Sequence, residues 1–255
     1  MYGEEFEDKV VLVTGSQQGL GESTVLLFAS LGSKIVITDL VKDEIEKVAL
    51  KCQSVSPKKY KPLTVVCDLT SEDEIKKLVK ETIDTFGRLD VLVNNAGYYT
   101  EGNVLQPEVL KIWDNHCLVN VRAIMNLCHL FLPYLVETKG CIITVTNIPV
   151  AFYPEYYVCA TTSRAAADMF TKNMAAQFAS KGVRVNTVHV GGIDTPGFGR
   201  MAHAEEKRKV LLEITPLRRL AQPKEIAKAI WFLASSGASF MTGISLTVDG
   251  GAILL

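Results

Sequence analysis

Short runs of β-branched and other apolar residues recur along the chain, at Val10–Thr14 and at 35–38, 65–66, 91–93, 142–145, 183–188 and 246–248. They are nearly continuous in apolar residues rather than alternating with polar ones. That pattern predicts parallel strands buried on both faces of a sheet. Between them lie amphipathic stretches with helical periodicity, at 20–31, 42–54, 71–86, roughly 105–137, 163–181 and 223–235. The third carries start signals, with Ser71 as N-cap and Glu74 at the capping-box position. Strand–helix alternation repeated six times predicts right-handed βαβ crossovers and a doubly wound α/β sheet. No linker rich in Pro, Gly or Ser divides residues 1–255, so a single domain is expected. The most irregular stretch, 192–208, lies between a strand and a helix, where open α/β sheets carry their ligand loops.

Composition narrows the function classes. The chain is 48% hydrophobic, which suits a large core and excludes disorder. Lys and Arg total 27 against 28 for Asp and Glu, a net charge of −1. That balance argues against nucleic acid or an anionic membrane as a partner, since both require a concentrated basic face. Cys52, Cys67, Cys117, Cys128, Cys141 and Cys159 include no C-x-x-C pair and read as buried, reduced thiols. No metal site is expected. Residues 1–9 are acidic, with no apolar signal core. The uncharged run 140–154 is too short for a membrane span and contains Thr144, Asn147 and Pro149. These features predict a cytoplasmic protein with a small-molecule site.

That site is written into Thr14-Gly15-Ser16-Gln17-Gln18-Gly19-Leu20-Gly21, after the first strand and opening the first helix. Glycines there permit a tight turn and close backbone approach to a pyrophosphate, and the helix N-terminus offers free N–H groups. Asp39 ends the second strand, 18 residues past Gly21, near the spacing expected for a carboxylate on the adenosine ribose. A carboxylate accepts from ribose hydroxyls and repels a 2′-phosphate, and the glycine turn holds no Arg or Lys. NAD is therefore expected over NADP.

With these motifs in view, the chain resembles the short-chain dehydrogenase/reductases from about Glu7 to Ala252. The glycine turn is similar to that family's T-G-x-x-x-G-x-G. Asp68 matches its adenine-side acid, Asn94-Asn95-Ala96-Gly97 its N-N-A-G, and Asn120 the helix asparagine of its proton relay. Arg184-Val185-Asn186 and Val248-Asp249-Gly250-Gly251 match its R-V-N and V-D-G-G. The resemblance implies a Rossmann-type seven-stranded parallel sheet with helices on both faces. It assigns cofactor contacts to Gly15, Gln18, Gly19, Leu20, Gly21, Asp39, Asp68, Leu69, Asn95, Ala96, Gly97, Arg164, Gly191, Ile193 and Thr195. It also implies a homo-oligomer joined through the helices at 105–137 and 163–181. The apolar tail at 252–255 is expected to dock in that assembly, a tetramer.

The family's chemistry is hydride transfer between a nicotinamide and a carbinol or carbonyl carbon. It relies on a Tyr, a Lys four residues later and a Ser about 13 before the Tyr. Residues at i and i+4 share a helix face, which explains the first spacing. Here the pattern departs. Arg164-Ala165-Ala166 resembles the family's K-A-A and sets the register. Without gaps, Arg164 stands at the Lys position, Ala160 at the Tyr position and Asn147 at the Ser position. A gap does not restore the pair, since Tyr153, Tyr156 and Tyr157 are followed four residues on by Tyr157, Ala160 and Thr161. Ala160 has no proton to give, Arg164 keeps the charge in a bulkier fork, and Asn147 can still donate to a carbonyl. Val190-Gly191 replaces the family's Pro-Gly, which frees φ and adds an N–H. His189 reads as a strand-end filler and Cys159 as a packed helix residue.

Three functions follow. The first is an NAD-binding member that is catalytically impaired or inactive, a pseudoenzyme. The second is an active NAD-dependent oxidoreductase on a secondary alcohol or ketone, with a relocated proton donor such as Tyr156, one turn before Ala160. The third is an interaction protein that has lost the cofactor, against which the complete glycine turn weighs. The 192–208 loop, with Phe198, Met201 and His203, suggests a mixed apolar substrate pocket.

Overall fold

The computed structural model describes residues 4–148, 154–200 and 203–254, with 154–156 described in backbone only. Tyr153, Met201, Leu255 and the side chain of Tyr156 therefore lie outside the described residues. Seven strands form one parallel sheet: β1 (Val10–Thr14), β2 (Lys34–Asp39), β3 (Leu63–Val66), β4 (Val91–Asn94), β5 (Cys141–Asn147), β6 (Arg184–Val190) and β7 (Ser245–Val248). Their order is β3-β2-β1-β4-β5-β6-β7. Leu12 of β1 pairs with Val36 of β2 on one side and Leu92 of β4 on the other. The order reverses between β1 and β4, and open α/β sheets bind ligands beyond the carboxyl ends of strands at such a point.

Successive strand residues point to opposite faces. Val11 and Val13 of β1 pack with Phe28, Ile37, Val93 and Ile230 in one core. Val10 and Leu12 pack with Leu92, Leu127, Phe131 and Ile142 in the other. The first face is covered by α1 (Gly19–Ser30), α2 (Lys42–Val55) and α9 (Pro223–Ala234). The second is covered by α3 (Glu72–Phe86), α5 (Ala123–Thr138) and α6 (Pro154–Phe178). Each fully buried Leu, Ile or Phe contributes roughly 1.5–3 kcal/mol relative to an exposed one. This double burial is why the strands read as unbroken apolar runs.

Several element ends differ from expectation. The helix expected at 105–137 starts later and is not uniform. It comprises α4 (Val109–Cys117), a wide π turn (Leu118–Arg122) and α5. Taken together, Val109–Thr138 is long and apolar enough to cross a membrane by length and composition, at mean hydropathy 1.3. It is not an uncharged run, since it carries Lys111, Asp114, Arg122 and Glu137. Ile124, Leu127, Phe131 and Leu135 from this run are in the core.

The helix expected from Ser163 begins about two and a half turns earlier, at Pro154, where proline suits a first helical position. Tyr157 (φ −123°, ψ 22°) breaks its regularity. Ser163 is interior, its hydroxyl donating to the Ala160 carbonyl at 2.9 Å. The irregular stretch 192–208 contains α7 (Pro196–Gly199) and the start of a helix the pattern did not predict, α8 (Ala204–Ile214).

At α3 the Ser71 hydroxyl accepts from Glu74 N at 3.3 Å, as expected. The reciprocal half is redirected, because the Glu74 carboxylate accepts from Asp68 N at 2.7 Å. All six cysteines are free. Burial pushes the thiols of Cys52, Cys67 and Cys128 up to about 12, which keeps them protonated and unreactive.

Candidate functional site

The glycine turn shows why its residue types are needed. Gly15 (φ +66°) is left-handed, and an added Cβ would stand 2.8 Å from the Ala96 Cα. At Gly21 an added Cβ would stand 2.1 Å from the Gly15 carbonyl oxygen. The turn is locked to its neighbours by short side chains. The Ser16 hydroxyl donates to the Val13 carbonyl at 2.8 Å and accepts from Thr38 N at 3.0 Å. The Thr14 hydroxyl accepts from Asn95 N and Ala96 N, at 3.1 and 3.0 Å. The Asn95 amide donates back to the carbonyls of Thr14 and Gly15, at 2.9 and 3.0 Å. Gln18 is the N-cap of α1, yet its side chain makes no capping bond. The first-turn N–H groups of this 12-residue helix have no intrahelical acceptor and face an open cleft. A bare helix N-terminus walled by glycines fits a pyrophosphate.

The cleft has a volume of about 440 Å³. Gly15, Gln18, Gly19, Leu20 and Gly21 form its floor, and Asn95, Ala96 and Gly97 one wall. Asp39, Asp68, Leu69 and Thr195 also line it. The Asp39 carboxylate is fixed at one end by Gln17 N at 3.1 Å and Leu40 N at 2.9 Å. Asp68 is held by Thr70, whose N–H and hydroxyl both donate to Oδ1, at 2.9 and 2.8 Å. Gln17, Thr38, Leu40, Cys67, Tyr98, Val119 and Gly197, which the motif matches did not assign as contacts, complete the lining. Three expected contact residues are not in the lining. Gly191 packs on Asp249, where an added Cβ would stand 2.9 Å from the Asp249 Cα. Ile193 forms a β-bridge with Ala221. Arg164 lies behind Gly97.

Arg164 is held in an unusual setting. One guanidinium nitrogen donates to the Val145 carbonyl at 2.8 Å. Another crowds Gly97 so closely that an added Cβ there would stand 1.6 Å away. Its Nε is buried without a hydrogen-bond partner among the described residues. Burial lowers the guanidinium pKa to about 10, with the Tyr99 phenol acting in the opposite direction. One turn before it, Ala160 is fully buried. Asn120, in the π turn, is saturated: Oδ1 accepts from Tyr98 N at 2.8 Å, and Nδ2 donates to the Tyr98 carbonyl and the Ser163 hydroxyl, both at 3.0 Å. Asn147 ends β5, paired with Val190 of β6. The structure thus brings residues 120, 160 and 164 together around α6. His189 is engaged elsewhere, 3.2 Å from the Asp168 carboxylate. Cys159 is buried, its thiol near the Val109 carbonyl.

Beside this face stands a cluster that no spacing rule anticipated. The rings of Tyr99 and Tyr157 stack at 4.7 Å. The Tyr157 hydroxyl donates to Glu101 Oε1 at 3.3 Å. Lys207, reaching across from α8, donates to the same oxygen at 2.5 Å and lies 5.3 Å over the Tyr157 ring. The hydrogen bond from Lys207 holds the Glu101 carboxyl below its usual range. The adjacent pair Arg208–Asp194, at 2.7 Å, ties α8 to the loop after β6.

Comparison with known proteins bears on this geometry. The family described as Enoyl-(Acyl carrier protein) reductase matches residues 15–252. The chain is 32% identical over 249 residues to the 3-oxoacyl-(acyl-carrier-protein) reductase FabG of Thermotoga maritima, covering 97% of this chain and 99% of that one. Its fold is similar to a short-chain type dehydrogenase/reductase from Mycobacterium marinum, with TM-score 0.89, 26% identity and coverage of 97% and 96%. It is also similar to the L-sorbose reductase of Gluconobacter frateurii, solved with NADPH and L-sorbose, with TM-score 0.87, 26% identity and 98% of each chain covered.

Proposed function

The chain belongs to the short-chain dehydrogenase/reductase family of oxidoreductases, and we propose that within it this protein binds NAD(H) while carrying out little or no hydride transfer. The observation that supports this reading is the fully buried methyl of Ala160, the residue that the ungapped register from Arg164 sets at the family's tyrosine position. A nicotinamide supplies or accepts the hydride when bound, and the chain must move the proton. Neither Ala160 nor the neighbouring Arg164 can do so at neutral pH. Loss of a general acid typically costs about 10² to 10⁴-fold in rate. Asn147 and Arg164 accordingly stand in for the Ser and Lys. Asn120, whose amide is wholly used by Tyr98 and Ser163, serves to hold the cleft wall.

The cofactor half supports binding. Asp39 presents a carboxylate at the ribose end, fixed by two backbone N–H groups. It would accept from a 2′-hydroxyl and repel a 2′-phosphate, so NAD is the expected ligand. We further propose a homotetramer, built on the face where Trp113, Met125 and Phe170 line a shallow apolar trough, and a reducing, cytoplasmic setting that suits the free thiols.

The test has two parts. Calorimetric titration with NAD and NADH should show binding, whereas no heat up to millimolar ligand would remove the reading. A panel of alcohols and ketones should show no robust turnover in the wild type. The triple variant Asn147→Ser, Ala160→Tyr, Arg164→Lys should acquire it.

A second reading is favoured by one observation: Tyr157 is paired with Glu101 and overlaid by Lys207. In this reading the protein is an active oxidoreductase whose proton donor has moved one turn along α6. Turnover in wild type that is lost in Tyr157→Phe would establish it, and Tyr156→Phe tests the neighbouring residue in the same way.

A further inference from the structure

The charges around the cleft do not balance its proposed ligand. Two carboxylates, Asp39 and Asp68, are in the lining, and among the described residues no Lys or Arg is. A dinucleotide brings a diphosphate with two negative charges. The α1 N-terminus offers the equivalent of roughly half a positive charge. A cation reaching in from outside the lining would add to that partial charge.

Arg200 is placed to supply it. It follows α7, the short helix whose preceding residue Thr195 and whose own Gly197 both line the cleft. The segment lies against the glycine turn, with Thr195 Cγ2 3.2 Å from where a Gly19 Cβ would be. From there Arg200 crosses the cleft mouth, and its guanidinium donates to Gln18 Oε1 at 2.7 Å. The two residues are 182 apart in sequence. Arg200 is exposed and forms no ion pair among the described residues. Its neighbour Arg208 is committed to Asp194, and Lys207 to Glu101. Arg200 is thus an uncommitted cation that touches the N-cap residue of the anion-binding helix.

We propose that Arg200 is a phosphate-binding residue that contacts the diphosphate of the bound dinucleotide from the segment covering the cleft. The inference rests on the dinucleotide reading of the cleft. A guanidinium has five N–H donors in a planar fork. It can grip a phosphate with two of them in a charge-assisted pair, which is stronger than its bond to a neutral amide oxygen. The bond to Gln18 holds the side chain over the helix N-terminus until the anion arrives. One contact thus both neutralises the ligand and ties the α7 segment to the glycine turn.

The test is a set of calorimetric titrations of the intact protein with NADH, ADP-ribose, NADPH and adenosine. Arg200→Ala should weaken NADH and ADP-ribose by about ten- to a hundredfold, the range for a hydrogen bond to a charged group. Adenosine binding should be unchanged, which also shows that the variant is folded. Arg200→Lys should recover part of the loss, and added salt should weaken ADP-ribose binding less in Arg200→Ala than in wild type. ADP-ribose binding unaffected by Arg200→Ala overturns the proposal, as does an equal loss for adenosine. A loss confined to NADPH moves the contact to a 2′-phosphate and overturns it too. Wild type that binds adenosine and NADH while Arg200→Ala behaves identically refutes the role of Arg200 alone. Wild type that binds neither refutes the dinucleotide reading, and Arg200 with it.

Discussion

Gly97 and Arg164 constrain each other. The guanidinium fills the space a Cβ would take, and it is pinned there by the Val145 carbonyl. The far end of an arginine is ordinarily flexible, so the cost of crowding depends on what the pinned group must give up. Gly97→Ala would push the guanidinium off Val145 and leave a buried cation with fewer partners. The expected loss is about 1.5–3 kcal/mol, the worth of a hydrogen bond to a charged group. Arg164→Ala should relieve most of that penalty. The double variant should therefore be more stable than the sum of the singles by about 1–2 kcal/mol, within the range of couplings between touching residues. Urea denaturation of the four proteins measures it, and strict additivity would show that the two residues do not contend for the same space.

At the level of elements, α6 carries Ala160 and Arg164 and is anchored by Asp168. Its carboxylate accepts from Lys172 at 2.8 Å on the same helix and from Ser245 of β7 at 2.7 Å. It also lies 3.2 Å from His189 of β6. Burial acts to raise the Asp168 pKa, but hydrogen bonds from Lys172 and Ser245 and the charge of His189 outweigh it, and the net direction is downward. A depressed carboxyl pKa gives stability that is complete above the unfolded value and is lost as pH falls through the folded one. Asp168→Asn should therefore cost about 1–3 kcal/mol at neutral pH. The gap to wild type should close below the ordinary carboxylate range, which unfolding midpoints between pH 2 and 7 would reveal.

The same scale shows what could be read in advance. The strands were legible because burial on both faces leaves them rich in β-branched and apolar residues and nearly free of charge, and the few polar positions, such as Thr144 and Asn186, are themselves buried. The glycine turn was legible because Gly15 and Gly21 meet backbone at distances only glycine tolerates. The start of α6 was not, since Pro154, Tyr156 and Tyr157 look like loop residues locally. Nor was α8, none of whose residues is fully buried and whose apolar residues, Val210, Leu211, Leu212 and Ile214, fall only in its second half. The pairing of Lys207 with Glu101 and Tyr157 depends on that helix and joins distant parts of the chain, so no local spacing encodes it.

For the whole molecule, the outer face of α4, the π turn, α5 and α6 leaves large apolar groups at the surface. Met125 and Met169 are about half exposed, at 47% and 57%. Trp113 and Phe170 line the trough between them and its charged rim of Glu72 and Arg122. A second copy of the same face is the expected cover. Phe170→Glu should shift the mass distribution from tetramer toward smaller species in mass photometry, with a lowered melting temperature. Wild type that runs as a monomer would rule out the assembly.

The reversal of strand order between β1 and β4 has a further consequence. One bank of the cleft comes from the turns after β1, β2 and β3 and the other from the loops after β4 and β6, so only a completed sheet assembles it. A nucleotide that binds there adds stability as RT ln(1 + [L]/Kd), about 2.7 kcal/mol when the ligand is at a hundred times Kd. In a chain that turns nothing over, that increment would be the ligand's main effect. The supply of dinucleotide in the cell would then be read out as the lifetime of the protein, with starved copies opening more often and reaching proteases sooner.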